Sequence, residues 1–269
     1  NTQLLWYRKD KVAAPPADFT WDEMIDDAIK KHTHVEVQAR QYEGLTVWVN
    51  ALIAGAGGQI VDQKGNVKVD DTANTAAQII SKLGKSSAAP PGMSTNAEDQ
   101  ARQGFETGRS YYEVNYPYVY PSAAAVGKDF QKNMGWARYP RSVKDKPSRP
   151  PLGGINIGVS KYSKKRDQAF KAAECIANDA HQGDAAELGG LPPTTKSVYD
   201  TAQVKKAYPF AALLRESINA AAPRPVTPAY SDISLAIQKT FSPPEGIEPN
   251  GIAGKLRDRM EKAAEGKIF

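Results

Sequence analysis

Cysteine is almost missing from this chain of 269 residues. Cys175 stands alone, which excludes an internal disulfide and any multi-cysteine metal site. Histidine is nearly as scarce, with three copies. His32 and His34 form a His-x-His pair without a third nearby ligand, so no metal site is expected. His181 falls near a helix end, where a protonated imidazole suits the helix dipole. No stretch approaches the roughly 18 apolar residues of a membrane span. The longest mostly apolar run, 45–56, reads as a core helix. There is no Gly-x-x-x-x-Gly-Lys-Ser/Thr loop, and 55–60 fails the dinucleotide pattern at its last glycine. No Gly-x-Ser-x-Gly elbow is present, and Cys175, among Ala173, Ile176 and Ala177, reads as a small core residue. The net charge is +5, with basic residues dispersed rather than striped, so nucleic-acid binding is not expected. The chain opens without Met or a signal-peptide pattern. It is therefore expected to start behind a processed leader or inside a longer product.

What is present is a helix-rich α/β pattern. Hydrophobic residues make up 41% and charged residues 24%, values typical of a packed domain. The aromatic run 4–7 suits a buried strand. Thr20-Trp21-Asp22-Glu23 has the form of a capping box, predicting a helix to about Lys31. A short strand is expected at 35–39. A helix over 42–54 follows, with Leu45, Trp48, Val49, Leu52 and Ile53 on one face and Trp48 in the core. A small hairpin turns at Lys64-Gly65-Asn66. Helices are expected over 72–84, 97–107, 122–132, 164–180, 209–221, 231–240 and 251–264. Strands are expected at 109–114, 136–139 and, bearing glycine, 154–160. Helices alternating with short strands argue for α/β layering. Two connectors punctuate this order. One, 140–151, carries Pro140, Pro147, Pro150 and Pro151 among Arg141, Lys144, Lys146 and Arg149; the other is 189–195.

Two features invite a chemical reading. Glu43 and Glu113 lie in aromatic company, and two carboxylates roughly 5–9.5 Å apart would serve a glycosidase. Sequence does not give their separation. The stronger signal is the segment 111–120, Tyr-Tyr-Glu-Val-Asn-Tyr-Pro-Tyr-Val-Tyr, with five tyrosines in ten residues. Tyrosine joins a flat apolar face to a polar tip, which matches the C–H face and hydroxyl rim of a sugar. A packed aromatic interface would show the same composition, and composition does not choose between them.

Several segments together resemble one family. They are 1–10 (Asn-Thr-Gln-Leu-Leu-Trp-Tyr-Arg-Lys-Asp), Pro15-Pro16 with Phe19-Thr20-Trp21-Asp22-Glu23, Tyr42-Glu43-Gly44-Leu45 and Gly57-Gly58-Gln59-Ile60-Val61-Asp62. To these are added Phe105-Glu106-Thr107-Gly108-Arg109, Asn115-Tyr116-Pro117-Tyr118, Pro151-Leu152-Gly153-Gly154, Gly190-Leu191-Pro192 and Pro223-Arg224-Pro225. In this order the chain resembles the family 1 extracellular sugar-binding proteins of ABC importers, the maltose-binding protein group. Its opening looks like the trehalose-binding lipoproteins of mycobacterial-type importers.

The resemblance implies a periplasmic-binding-protein-like two-lobe fold of type II, α/β and helix-rich, with the first lobe incomplete in this chain. Residues 1–139 and 192–269 map onto the second lobe, and 140–191 onto a returning segment of the first. The implied function is capture of a disaccharide or oligosaccharide, of trehalose or maltose type, between closing lobes. No enzyme activity and no cofactor are implied. The partners would be the sugar and the permease subunits of the importer. The protein would be a monomer outside the cytoplasm, tethered to the membrane by an upstream lipid anchor. Carried over by position, Asn1 is a polar ligand at the hinge strand and Tyr118 stands where maltose binders stack a tryptophan. Glu113, Asn115 and Tyr116 belong to the same turn. Gly153 and Gly154 let backbone approach the sugar, Arg224 offers a planar fork to two hydroxyls, and Glu43 is a further candidate. Ile155 stands where family members often carry Trp. A module for amino acids or peptides, with Arg224 holding a carboxylate, is the remaining alternative.

Overall fold

A computed structural model describes residues 1–266. Its centre is a sheet of β1 (Leu4–Arg8), β2 (His34–Glu36), β3 (Ser110–Asn115) and β4 (Met134–Ala137), in the order β2-β3-β1-β4. β1 runs antiparallel to β3 and β4, and β2 runs parallel to β3. Alternation along each strand splits the core in two, because successive side chains point to opposite faces. Leu5, Tyr7, Val35, Tyr112 and Val114 join one apolar cluster. Leu4 and Trp6 join the other.

The first cluster is covered by α1 (Trp21–Lys30), α2 (Glu43–Gly55), α3 (Thr72–Lys85), α11 (Tyr230–Phe241) and α12 (Ile252–Ala264). Thr20 caps α1 as its sequence predicts: its Oγ1 accepts the Glu23 N–H at 3.1 Å, and Glu23 Oε2 accepts the Thr20 N–H at 2.9 Å. α2 buries more than its expected stripe, since Thr46, Val47, Asn50 and Ala51 are buried too. α3 and α11 both pack on it, and Thr46 meets Ser234 of α11 at 2.8 Å. Trp48 is in the core, its ring 5.3 Å from that of Trp21.

The second cluster lies under α4 (Glu98–Glu106), α5 (Val119–Val126), α8 (Asp179–Gly189), α9 (Ala202–Ala207) and α10 (Ala211–Ala220). Short α6 (Lys128–Lys132) is separated from α5 by Gly127 at φ +150°, so the helix expected over 122–132 is two.

Three stretches of chain meet at one place. Gly153 N–H donates to Asn1 O at 2.9 Å, Thr2 Oγ1 to Pro151 O at 2.6 Å, Ala222 N–H to Pro150 O at 2.8 Å, and Leu152 N–H to Ala222 O at 3.0 Å. The expected edge at 140 lies elsewhere, where Arg141 N–H donates to Phe19 O at 2.9 Å, and near the expected edge at 191 Gly190 packs against Tyr118.

Between those edges the sequence reading needs correction. Residues 154–160 form no strand. Ile155 and Ile157 are exposed, and among the described residues no neighbouring strand offers a ladder. The helix expected over 164–180 is broken into α7 (Arg166–Ile176) and α8, because Asn178 Oδ1 caps α8 by accepting the His181 N–H at 2.9 Å. His181 Nδ1–H donates back to Cys175 O at 2.6 Å, at the end of α7. No residue of α7 is buried, so Cys175 is exposed rather than core: its helix has the apolar pattern but no surface to bury it on.

Two substitutions test this packing. Thr20→Ala removes the cap of α1 and is expected to lower stability by about 1 kcal/mol, read as a lower urea midpoint at unchanged slope. Gly135→Ala places a methyl 2.2 Å from the Tyr7 ring across the β1–β4 pair. It is expected to cost more, about 1–3 kcal/mol, in the same measurement.

Candidate functional site

The end of β3 builds the first wall. Asn115 is fully buried and makes three bonds: its Oδ1 accepts the Tyr116 N–H at 2.8 Å, and its Nδ2 donates to Glu98 O at 2.9 Å and to Glu113 Oε1 at 2.6 Å. Pro117 then restricts Tyr116 to extended backbone. The turn delivers Tyr116 and Tyr118, both half-buried, beside the first turn of α4. Tyr118 Oη donates to Asp99 Oδ1 at 3.2 Å. Gly190, at φ +66°, lies so close that a Cβ there would be 2.6 Å from Tyr118 Cα.

The start of α2 builds the second wall. The Tyr42 ring folds over Gly44, where a Cβ would lie 2.1 Å from Tyr42 Oη. Its hydroxyl donates to Glu98 Oε2 at 2.7 Å, and the Arg40 guanidinium sits 4.5 Å from its ring centre. Glu43 accepts from Arg224 Nη1 at 3.0 Å, from Ser234 Oγ at 2.6 Å and from the Tyr230 hydroxyl. Arg224 is thereby held by Glu43 of α2, whose carboxylate is itself held by Tyr230 and Ser234 of α11.

The crossing supplies the floor. Asn1 and Gly153 are tied through their backbones, and Tyr116 stands beside them, 3.8 Å from where a Gly153 Cβ would be. Asn1 Oδ1 is buried and makes no hydrogen bond. Buried polar atoms are normally paired, so this oxygen is an acceptor awaiting a donor.

Burial, and then the Glu98 charge, push the Tyr116 hydroxyl up to about 12, with Arg224 opposing. Burial likewise raises Tyr42, Tyr118 and Tyr230. These phenols are neutral donors at ordinary pH. The surface therefore combines neutral hydroxyls, the guanidinium groups of Arg40 and Arg224, an unpaired amide oxygen and aromatic rings.

Asn1, Tyr116, Tyr118, Gly153, Arg224 and Glu43 thus fall around the crossing and the two walls beside it. One sequence expectation needs correction. Glu113 and Asn115 are both fully buried and stand behind the turn rather than on it, because their positions on β3 face α4. A carboxyl so enclosed cannot reach a glycosidic bond, and Glu43 is committed to Arg224. Gly154 has no protein atom within 4 Å of a built Cβ, so the backbone there is open rather than packed. Tyr42, Glu98, Asp99 and Tyr230 were not singled out from the sequence. A tyrosine and a serine four apart on one helix, Tyr230 and Ser234, were the available hint.

A separate cleft of about 830 Å³ runs along the outer half of α2, between residues 57–63, the Lys146–Arg149 stretch and residues 221–226. Arg224 lines it, whereas Asn1, Tyr116, Tyr118 and Gly153 do not. Among the described residues no three His, Cys, Asp or Glu side chains gather to hold a metal ion, and no helix is long and apolar enough to cross a membrane.

Comparison with known proteins gives this geometry a context. A probable ABC transporter-binding protein of Deinococcus radiodurans is 30% identical over 244 residues, covering 83% of this chain and 56% of its own length. The maltodextrin-binding protein MdxE of Bacillus subtilis is 25% identical over 245 residues, covering 87% and 57%. The chain thus spans little more than half of these relatives. The structure of maltose-bound MalE3 from T. maritima superposes with a TM-score of 0.81 at 27% identity, over 99% of this chain and 70% of that one. The fold is therefore of the periplasmic-binding-protein type, and the proteins it matches are binding proteins rather than enzymes. Residues 1–212 match the family described as bacterial extracellular solute-binding protein, and the chain belongs to that family.

Proposed function

We propose that this chain is the sugar-capturing part of an ABC importer's solute-binding protein, working outside the cytoplasm. The ligand is a disaccharide or oligosaccharide of trehalose or maltose type. The observation that carries this reading is the surface at the crossing. There an unpaired buried amide oxygen on Asn1, the Tyr116 ring and the Arg224 guanidinium surround one place. Neutral phenols and a guanidinium suit vicinal hydroxyls, and aromatic rings suit the C–H face of a pyranose. Tyr118 is the stacking ring, and Asn1, Tyr116 and Arg224 bind hydroxyls. Gly153 leaves the crossing open beside them, and Gly154 continues that edge.

In this reading residues 1–139 and 192–266 form the second lobe, and 140–191 returns to the first; 267–269, expected in the second lobe, lie outside the described residues. The exposed Phe170 and Ile176 of α7 support the assignment, since an apolar helix face needs a layer to cover it. Closure at the crossing presents the loaded form to permease subunits. The protein acts as a monomer, held to the membrane by a lipid anchor upstream of Asn1. Similarity to a maltodextrin-binding protein and to a maltose-bound structure favours glucose-based ligands.

Calorimetric titration with trehalose, maltose and related sugars is expected to give a dissociation constant in the micromolar range or tighter for at least one, about −8 kcal/mol. Heat from dipeptides instead, lost in Arg224→Ala, would mark a peptide binder, and silence across a broad sugar panel would refute the proposal. Tyr118→Ala is expected to weaken binding at least about tenfold, roughly 1.4 kcal/mol. Trp48→Phe, inside the core, is expected to change affinity far less. The reverse order would remove Tyr118 from the site.

A further inference from the structure

Behind the tyrosine turn lies a feature that sugar contact does not use. Glu36 and Glu113 are register partners on neighbouring strands β2 and β3, so their side chains leave the same face of the sheet. Glu36 is 3% exposed and Glu113 0%. Each has one satisfied oxygen: Glu36 Oε1 accepts the Ser110 hydroxyl at 2.6 Å, and Glu113 Oε1 accepts Asn115 Nδ2 at 2.6 Å. Each also has a buried Oε2 without a partner. On its other side Glu113 faces Trp6 across β1. Above the pair, α4 presses close: a Cβ on Gly104 would be 2.2 Å from Glu36 Oε1.

Two adjacent carboxylates in a low-dielectric site cannot both ionise cheaply, and one proton held between them resolves the conflict. The two unpartnered Oε2 atoms are the ones free to hold it. We propose that Glu36 and Glu113 form a proton-sharing pair that positions the Tyr116–Tyr118 turn through Asn115 and the first turn of α4. The proposal rests on the reading of that turn as the sugar-facing wall; the pair itself touches no ligand.

The charged surroundings are known from each element. From β2, His34, and from just before β3, Arg109, lie toward Glu36; from α4, Arg102 and Glu106, and from the turn, the Tyr118 hydroxyl, lie toward Glu113. Arg102 is already engaged by Glu106 and Asp99, so neither carboxyl has a dedicated cation. Burial pushes Glu36 up to about 7, with the Ser110 bond and the Arg109 charge opposing. Burial raises Glu113 well above the usual range; the Asn115 bond opposes this, and the Glu36 and Glu106 charges add to it. A polar pocket of about 300 Å³ reaches Glu36 between α4 and residues 91–96, giving the pair a route to exchange protons with solvent.

The consequence runs outward along bonds already described. Loss of the shared proton sets two carboxylates against each other beneath Gly104. The relief is movement of α4, whose first turn carries Glu98 and Asp99. Those residues hold Tyr42, Asn115 and Tyr118. The sign follows from folded values raised above the unfolded one. The stability contributed by the protonated pair is complete below about pH 4.5 and is lost as pH rises through about 7 and beyond.

The experiment compares the protein with Glu113→Gln and Glu36→Gln, each a neutral mimic that keeps an acceptor oxygen. The readouts are urea midpoint, sugar affinity, and hydrogen exchange of the Tyr116, Tyr118 and Val119 amides relative to intrinsic rates, from about pH 5 to pH 9. The unsubstituted protein is expected to lose midpoint and at least about threefold in affinity toward the alkaline end, with faster exchange in the turn. The variants are expected to flatten all three profiles. A merely structural carboxyl would lower the midpoint at every pH without changing its slope, and parallel profiles overturn the proposal. If no sugar binds at any pH, the site reading fails, and the exchange profile still decides the pair. If neither variant folds, the infrared band of a protonated carboxyl in the unsubstituted protein at neutral pH decides it, and its absence overturns the proposal.

Discussion

The backbone pairing at the crossing is the constraint on which the rest of the molecule depends. Residues 1–2, 150–153 and 222 meet there through hydrogen bonds outside the central sheet, including an isolated parallel bridge between Pro151 and Ala222. Proline at 150 and 151 fixes φ and removes two donors, so the carbonyls of Pro150 and Pro151 are left as acceptors. Ala222 and Thr2 supply the donors. This pins the start of β1 beside the middle of the chain and returns the stretch from 223 onward to α2. The bonds Arg224–Glu43 and Thr46–Ser234, between residues 181 and 188 apart, follow from that return.

Local physics was legible in the sequence, and distant packing was not. The capping box at Thr20, the hairpin closed by Val61 and Val67, and the stop at Gly108 with φ +78° depend on a few neighbouring residues. Residues 154–160 have the alternation of a strand and remain coil, because a strand also needs a partner. The pattern around Cys175 is that of a buried helix, yet burial requires a second surface. In each case the residues carried the tendency, and the surroundings decided whether it was met.

The site divides in the same way. The tyrosine-rich turn declares itself by composition, and its conformation follows from Asn115 and Pro117. Glu113 misled because a carboxylate among tyrosines has the look of a ligand. Strand alternation carries the answer: Tyr112 and Val114 face the larger core, so Glu113 must face α4. The partners Glu36 and Ser110 lie far away or on the same strand in an unremarkable context, and no spacing rule joins them. The buried pair therefore became visible only through register.

Asn50 and Glu43 lie seven residues apart, two turns along one side of α2. Asn50 Nδ2 donates to Pro223 O at 3.2 Å, and Glu43 holds Arg224. The stretch between crossing and α11 is thus laid along a buried helix at two points. An unrestrained arginine loses about 2 kcal/mol of rotamer entropy when it is ordered. Here much of that freedom is already gone once the fold forms, so a later contact with the guanidinium meets a group set in place. Rigidity in α2 becomes, at Arg224, a lower entropic barrier to recognition.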